Sequence, residues 1–268
     1  KVDNRVLTDQ GIMDDTKKKL IAVNAATGTG VKESAFAGDK GMEKEIKRIS
    51  RYIRRLYLED EMPWIVAYSG GKDSTAVLQL VWTAIADLQK LKHVRKPKKN
   101  YLHKPIFVIT NDTLVENPIV SSWVNQSLST IAEKAAEQQL PIEPNLLTPK
   151  VTQTFWVNLI GRGYPAPNRR FRWCTERMKI DPTSDFIKKQ VAQYGEVVIL
   201  LGARKTESIS RGQVMAKRDE LGDKLSRHKT LNNAWVFTPI EDWETDDIWE
   251  YLTNTKCPWG GDNKELIT

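Results

Sequence analysis

The stretch "WIVAYSGGKDSTAVLQLVW", residues 64–82, decides the fold. It begins as an apolar, β-rich run, turns at Ser69-Gly70-Gly71, and continues with apolar residues at helical spacing. Two glycines permit a sharp turn and a close approach of the backbone to a ligand, and the N–H groups at a helix start attract anions. The sequence therefore predicts a strand, a phosphate-binding loop and a helix in succession.

This loop differs from two common phosphate-binding motifs. The G-x-x-x-x-G-K-[ST] motif places four residues between its glycines, and G-x-G-x-x-G also separates them, whereas Gly70 and Gly71 are adjacent. The loop supplies hydroxyl donors, a cation and a carboxylate able to position a metal or a nucleotide. These side chains belong to Ser69, Lys72, Asp73, Ser74 and Thr75. A plain glycine-containing turn between a strand and a helix is the alternative interpretation.

Strands and helices alternate along the chain. The composition predicts strands at 64–69, 105–110, 141–147, 196–202 and 234–240, and helices at 42–56, 73–89, 118–135, 152–161, 175–194 and 244–252. Such alternation is typical of an α/β protein with a mostly parallel sheet that is covered by helices on both faces. Ligands of these sheets bind beyond the carboxyl ends of the strands, so residues that follow strands are the candidates for function.

The second predicted strand ends in "TNDT", residues 110–113. Its polar side chains are placed to meet a ribose or a base, and Asp112 is a candidate contact for ATP. An ordinary turn that uses Asn and Asp explains the same letters equally well.

A basic cluster surrounds one cysteine in "NRRFRWCTERMKIDP", residues 168–182. Its five cations are Arg169, Arg170, Arg172, Arg177 and Lys179. The planar guanidinium suits phosphate, so the cluster predicts a site for an anionic substrate or for a leaving pyrophosphate. The same charges would favour a thiolate at Cys174, as a nucleophile or a metal ligand requires, although an inert buried cysteine remains the alternative.

A second group of polar residues follows the buried strand 196–202. Arg204, Ser208 and Arg211 are predicted to converge on an anion at a helix start, with Glu207 orienting an arginine. Surface ion pairs would account for the same residues.

Composition limits the class of protein. Lys and Arg outnumber Asp and Glu by 41 to 34, which favours polyanionic partners, and residues 90–99 carry six of these cations. No apolar run approaches the roughly 20 residues that cross a bilayer, so we expect a cytoplasmic protein without membrane contact.

The chain has two cysteines, Cys174 and Cys257. Two cysteines are too few for a disulfide framework or for a four-thiolate metal site built from this chain by itself. Residues 1–40 are predicted to be a loop or partly disordered extension, and 41–268 a single domain.

Four motifs in order carry a resemblance to a known family. S-G-G-x-D-S resembles the PP-loop of the ATP pyrophosphatases, and C-T-x-R-x-K-x-x-P, G-x-R-x-x-E-S-x-x-R and "TPIEDWETDDIWEYL" resemble the branch related to phosphoadenosine-phosphosulfate (PAPS) reductase. Within that branch, "NDTLVENPIV", "TFWVNLIGRGYPAPNRRFRWCTERMKI" and "CPWGGDN" are most similar to DndC-type sulfurtransferases of DNA phosphorothioation. The implied fold is the Rossmann-like, adenine nucleotide alpha hydrolase-like fold with a parallel sheet.

The resemblance also implies an activity. ATP would be cleaved to AMP and pyrophosphate with Mg²⁺, and a non-bridging oxygen of a DNA phosphate would be replaced by sulfur. Lys72, Asp73 and Cys174 become the candidate catalytic residues. A [4Fe-4S] cluster is implied, with Cys174 and Cys257 as candidate ligands and the remaining ligands outside this chain. The implied partners are DNA, a cysteine desulfurase as sulfur donor, and other phosphorothioation proteins.

Three other functions share some of these residues. A reductase of PAPS or adenylylsulfate shares the fold and the G-x-R-x-x-E-S motif, but needs a nucleophilic cysteine near its C-terminus and no ATP-cleaving loop. A tRNA-thiolating enzyme uses the same activation on a base, usually with paired cysteines. A non-catalytic nucleic-acid-binding module would fit the charge and leave the PP-loop unexplained.

Overall fold

Six strands form one sheet in the order β3-β2-β1-β4-β6-β5. The computed structural model describes residues 34–36, 41–94, 102–207 and 225–263. All neighbouring strands are parallel except β5 and β6, which are antiparallel. The strands are β1 Trp64–Ala67, β2 Ile106–Asn111, β3 Ile142–Leu147, β4 Val197–Leu200, β5 Leu225–Arg227 and β6 Ala234–Phe237. The prediction of a mostly parallel sheet is confirmed.

Helices cover both faces of this sheet, as predicted. They are α1 Gly41–Glu59, α2 Lys72–Val94, α3 Pro118–Glu137, α4 Asp181–Tyr194 and α5 Thr245–Asn254. Four of them pack on one face, where Ile53, Val81, Ile131 and Ile248 belong to one hydrophobic cluster, whereas α4 packs on the other face. Both sides of β4 are therefore buried, which explains its uninterrupted apolar sequence. None of the helices in the described ranges is long and apolar enough to cross a membrane.

The structure differs from the predicted elements in three places. Strand β5 was not predicted, because three residues without an apolar alternation carry no period-two signal. The predicted helix 175–194 begins as a short helical turn, Trp173–Thr175, and a π-helical turn, Glu176–Ile180, before α4. The predicted helix 152–161 is a 3₁₀ turn followed by the π-helical turn Val157–Gly161.

Helix α3 begins at the predicted residue, and its first turn is exposed on part of its surface. The Asn117 side chain accepts a hydrogen bond of 2.9 Å from the Ile119 N–H, and Pro118 occupies the first turn. Leu128 is buried, whereas Val120 in the first turn is 49% exposed. The first turns of α3 therefore line a pocket, and Val124 also packs against the core.

Residues 34–36, which lie within the predicted extension 1–40, contact the domain. The Ala35 N–H donates a hydrogen bond of 3.2 Å to the Asp247 carboxylate, and the Phe36 ring packs edge-on against Trp243 with centroids 4.9 Å apart. Asp247 also accepts from the Glu244 N–H at 2.8 Å, which caps α5. Residues 1–33 and 37–40 lie outside the described ranges, so the predicted boundary at residue 40 stays a prediction.

The strand order creates a crevice beside β1. The chain moves from β1 to β2 and β3 in one direction and then returns to place β4 on the other side of β1. The carboxyl ends of β1 and β4 therefore meet at the point where the strand order reverses. Ligands of such sheets bind at this position.

A buried lysine fixes the opposite, amino-terminal edge of β1 and β2. The Lys104 side chain is 1% exposed, donates a hydrogen bond of 2.7 Å to Asp60, and lies between the rings of Tyr57 and Trp64, 5.0 and 5.2 Å from their centroids. Burial lowers the pKa of Lys104, and the Asp60 carboxylate opposes that shift. The Asp60 carboxylate thus offsets the free-energy cost of burying the charged Lys104 ammonium group.

We expect Asp60→Ala to destabilise the protein by about 3 kcal/mol, because it leaves a buried cation without its partner. Urea unfolding followed by circular dichroism measures the loss. The matched control is Asp87→Ala, which removes the partially exposed partner of Arg54, 3.4 Å away, and should cost less than about 1 kcal/mol. Equal effects of the two variants would contradict the role assigned to Lys104.

Candidate functional site

A pocket of about 510 Å³ opens at the carboxyl ends of β1, β2 and β4. This volume lies within the range typical of small-molecule sites, roughly 300–1,000 Å³. Its walls combine the loop after β1, the end of β2, the first turns of α3 and the loop after β4. Polar lining residues are Ser69, Asp73, Ser74, Thr110, Asn111, Asp112, Glu116, Ser121, Asn125, Lys179, Thr183 and Glu207. The pocket therefore occupies the crevice that the strand order predicts.

Hydroxyl groups hold the loop after β1 in shape. The Ser74 hydroxyl donates a hydrogen bond of 2.9 Å to the Gly71 carbonyl and accepts one of 3.2 Å from the Ser69 N–H. The two serine hydroxyls are themselves 3.2 Å apart. Helix α2 begins at Lys72, so the first N–H groups of this helix lack partners within it. They lie at the end of the helix that lines the pocket. Ser69, Gly71 and Ser74 thus form a turn that is closed by its own hydrogen bonds.

Two glycines of the site are required by close contacts. Gly70 has a φ of +74°, and a Cβ atom there would lie 2.3 Å from the Trp123 ring of α3. At Gly202, after β4, a Cβ atom would lie 2.9 Å from the backbone carbonyl of Asp73. The two loops therefore approach each other and α3 so closely that no side chain fits at either position.

Asp73 is held between two cations. Lys72 Nζ donates a hydrogen bond of 2.9 Å to one carboxylate oxygen. Arg204 Nε lies 2.7 Å from the other oxygen, but its N–H is not aligned with that oxygen, so the contact is an ion pair without a well-formed hydrogen bond. Arg204 is 5% exposed and also donates to the Thr245 hydroxyl at 3.2 Å. Arg204, predicted to bind an anionic substrate, instead contacts the candidate catalytic carboxylate.

The far wall of the pocket carries a second, more exposed ion pair. Lys179 Nζ lies 3.5 Å from Glu116, and both side chains line the pocket. Asp112 also lines it and accepts a hydrogen bond of 2.8 Å from the Leu114 N–H. Asn111 donates a hydrogen bond of 2.9 Å to the Thr183 hydroxyl of α4, which joins the end of β2 to that helix.

The basic cluster around Cys174 does not act as one group. Lys179 lines the pocket, whereas Arg177 donates a 2.8 Å hydrogen bond to the Tyr164 hydroxyl and contacts the Gln153 side chain. Arg172 is exposed, and Cys174 is half-buried on the turn Trp173–Thr175, away from the pocket lining. These cations are close together in the sequence, but Arg177 and Lys179 point in different directions because side chains two residues apart on a helical turn do not face each other.

Cys257 lies behind the loop, in a separate cavity of about 300 Å³. This cavity is lined by Tyr68, Thr75 and Trp259, and burial raises the pKa of the Tyr68 hydroxyl. Within the described ranges, no group of three or more His, Cys, Asp and Glu side chains is placed to hold a metal. The described residues do not fit a complete [4Fe-4S] cluster, since Cys174 and Cys257 are their only cysteines.

Other predicted residues fall outside the described ranges. Ser208 and Arg211 belong to the segment 208–224, which the structure does not describe. Residues 95–99 of the basic run 90–99 also lie outside the described ranges. Glu207 lines the pocket from a 3₁₀ turn. Sequence reasoning missed Glu116, Trp123 and Thr183 as site residues, although Glu116 lies within the "NDTLVENPIV" stretch that carries the resemblance. The Asn117-Pro118 start of α3 was the available signal for this wall of the site, since it marks the helix that comes next after the second strand.

The fold and the site define an α/β domain with a mostly parallel sheet, whose pocket lies beside the Ser-Gly-Gly loop at the switch point. Residues 63–260 match the family model of the phosphoadenosine phosphosulfate reductase domain, and the chain belongs to that family.

Relatives of the chain are longer proteins. The uncharacterized protein MJ0066 of Methanocaldococcus jannaschii is 27% identical over 208 residues, which are 78% of this chain and 35% of that protein. MJ0973 of the same organism is 25% identical over 186 residues, 69% of this chain and 34% of that protein. The chain therefore spans about a third of the length of these relatives.

Solved structures with a similar chain path include two enzymes. PAPS reductase from Candida auris, in a phosphate complex, has a TM-score of 0.47 at 14% identity and covers 87% of this chain and 93% of its own. The U34-tRNA thiolase NcsA from Methanococcus maripaludis, with its [4Fe-4S] cluster, has a TM-score of 0.43 at 14% identity and covers 84% of this chain and 64% of its own.

We expect Gly70→Ala to destabilise the protein by about 2 kcal/mol or more, because alanine is strained at this positive φ and its methyl group meets Trp123. The neighbouring Gly71→Ala is the matched control, since its Cβ would meet the Ser69 hydroxyl at an ordinary 3.5 Å. Urea unfolding of both variants measures the difference. Similar losses in the two variants would show that the loop does not have the described conformation.

The contact between Asp73 and Arg204 is tested by a double-mutant cycle of Asp73→Asn and Arg204→Gln. We expect the double variant to lose less stability than the sum of the single variants, with a coupling of about 1–2 kcal/mol, because each single change already removes the pair. A parallel cycle on the exposed pair Lys47 and Glu43 should show no measurable coupling. Additive losses for Asp73 and Arg204 would exclude a direct interaction.

Proposed function

We propose that this chain is the ATP-cleaving domain of a DndC-type sulfurtransferase, which activates a DNA backbone phosphate with ATP so that sulfur replaces a non-bridging oxygen. The observation that carries the proposal is the intact Ser-Gly-Gly-Lys-Asp-Ser-Thr loop, closed by its own hydroxyl groups and facing the 510 Å³ pocket at the switch point. A reductase that takes an already activated sulfate does not need this loop.

The loop suits a leaving pyrophosphate. Cleavage between the α- and β-phosphates develops negative charge on the departing pyrophosphate, and preorganised donors aimed at that charge lower the barrier. The N–H groups at the start of α2 and the Lys72 ammonium group are these donors. Arg204 holds Asp73 from the other side, so that the carboxylate keeps its position while Lys72 is drawn toward phosphate.

Mg²⁺ would supply further charge neutralisation on the phosphates when it is bound. Such sites commonly use one or two protein carboxylates, with waters and phosphate oxygens as the other ligands, which the pocket residues Asp73 and Asp112 fit. Asp73 would have to exchange part of its contact with Lys72 for the metal.

Activation of DNA follows from leaving-group chemistry. A non-bridging oxygen of the diester attacks the α-phosphorus of ATP, the bond to the β-phosphate oxygen breaks, and pyrophosphate leaves. The DNA oxygen is then part of an AMP leaving group. Terminal persulfide sulfur, supplied by a cysteine desulfurase and carried on Cys174 or on a partner, attacks the DNA phosphorus and AMP departs. A thiol then cleaves the remaining S–S bond and is itself oxidised to a disulfide.

The second candidate is a reductase of PAPS or adenylylsulfate, favoured by the family match over residues 63–260. It predicts different products from the same pocket, namely sulfite and a nucleoside monophosphate or bisphosphate, without pyrophosphate. A tRNA-thiolating activity predicts AMP and pyrophosphate that depend on tRNA and not on DNA.

The experiment measures AMP and pyrophosphate from ATP with duplex DNA, with tRNA or with neither, together with sulfur incorporation into DNA in the presence of a cysteine desulfurase and a thiol. We expect equal amounts of AMP and pyrophosphate that depend on DNA, and their loss by at least about 100-fold in Asp73→Asn, since such electrostatic groups commonly contribute this much. ATP cleavage that continues unchanged in Asp73→Asn would contradict the assignment of the loop.

The matched control is Asp242→Asn. Asp242 also pairs with a lysine, Lys205, at 2.6 Å, but it is 49% exposed and lies outside the pocket lining. Sulfite release from PAPS without pyrophosphate from ATP would establish the reductase, and products that require tRNA would establish the tRNA-thiolating enzyme.

A further inference from the structure

Next to the nucleotide pocket, exposed aromatic rings alternate with arginines on one surface. We define the aromatic-arginine surface by Trp156, Tyr164, Arg169, Arg170, Phe171 and Arg172. Trp156 is 58% exposed and Phe171 is 44% exposed, although aromatic side chains of this size are usually buried. Phe171 and Arg172 also line a second pocket of about 650 Å³.

A rigid aromatic scaffold supports this surface. Trp156 packs edge-on against Phe155 at 5.2 Å, Phe155 stacks on buried Trp173 at 5.4 Å, and Trp173 meets Tyr164 edge-on at 5.5 Å. The Trp173 indole N–H donates a 3.0 Å hydrogen bond to the Pro165 carbonyl. The Arg177 guanidinium lies 5.2 Å from the centroid of the Tyr164 ring and ends the row. The exposed Trp156 ring is thus held against a packed row of rings, and Phe171 lies two residues from the buried Trp173 in that row.

The arginines of this surface are not neutralised. Within the described part of the chain, no carboxylate forms an ion pair with Arg169, Arg170 or Arg172. Glu176 and Asp181 also line the second pocket, but Arg170, Arg172 and Arg177 outnumber them there. Flat exposed rings among unpaired guanidinium groups match a nucleic-acid strand, whose bases stack and whose phosphates are anionic.

The position of the surface connects it with the nucleotide pocket. The π-helical turn Glu176–Ile180 directs Arg177 to the second pocket and Lys179 to the nucleotide pocket. The second pocket and the nucleotide pocket are therefore both lined from this one turn.

We propose that the aromatic-arginine surface binds a single-stranded or locally opened nucleic-acid strand, with an unstacked base against Phe171 or Trp156 and phosphates against Arg169 and Arg170. This inference deepens the proposed function, on which it rests for the identity of the strand as DNA. It gives the chain a means of presenting one phosphate to the activated nucleotide.

The test is the fluorescence anisotropy of a labelled DNA strand of about 12 nucleotides, titrated with the protein over a series of salt concentrations. We expect Phe171→Leu and Trp156→Leu each to weaken binding by about 5-fold or more without changing the salt dependence, because they remove a stacking ring and no charge. Arg169→Gln and Arg170→Gln should each reduce the slope of log affinity against log salt by about 0.7.

The controls separate a built surface from general basicity. Tyr194→Leu removes an aromatic residue that is 41% exposed on α4, and Arg51→Gln removes an exposed arginine on α1, so neither should have these effects. An abasic strand should bind the wild-type protein as weakly as the normal strand binds Phe171→Leu. Equal binding of normal and abasic strands, or equal effects of Arg51→Gln and Arg169→Gln, would overturn the inference.

Failure of the proposed function has a different signature. If wild-type protein cleaves no ATP but distinguishes the normal strand from the abasic one, the surface is supported and the proposed activity is refuted. If it cleaves ATP in response to DNA and the aromatic variants bind as the wild type does, the activity stands and the surface is refuted.

Discussion

The site depends on one steric constraint, the close approach of the loop after β4 to the loop after β1. Gly202 lies so near the backbone of Asp73 and Ser74 that a methyl group would come within about 3 Å of three of their atoms. This approach brings the next residues of the β4 loop over the first turn of α2, where Arg204 reaches Asp73. A bulkier residue at position 202 would separate the loops, and the ion pair would be lost with the pocket wall.

The loop after β1 is also supported from behind. The Gln79 amide of α2 donates a 2.6 Å hydrogen bond to the Asn263 side chain, which itself donates at 2.8 Å to the carbonyls of Leu252 and Thr255. This buried network holds the segment that contains Trp259 against Tyr68, whose ring centroid is 6.4 Å from that of Trp259. Buried polar networks with every partner present specify one arrangement, so the "CPWGGDN" segment positions the strand that leads into the loop.

Much of the fold could be predicted from local sequence, whereas the contacts within the site could not. The apolar run of β4 and the Asn117-Pro118 start of α3 are local signals, and both elements were found where they were expected. The pairing of Arg204 with Asp73 joins residues far apart in the chain and depends on the crossover that places β4 beside β1. The separation of Arg177 from Lys179, by contrast, follows from the predicted helix 175–194, because side chains two residues apart on a helix do not face each other.

The two ion pairs of the pocket differ in how readily an anion can disrupt them. Lys179 and Glu116 are 55% and 38% exposed, and such pairs contribute little, about 0–1 kcal/mol. Arg204 and Asp73 are 7% and 19% exposed, and separating them would leave charges with little access to water. A phosphate entering the pocket can therefore draw Lys179 away from Glu116 at small cost while Arg204 continues to hold Asp73. The exposed pair is thus the adaptable side of the site, and the buried pair fixes the position of the Asp73 carboxylate in the pocket wall.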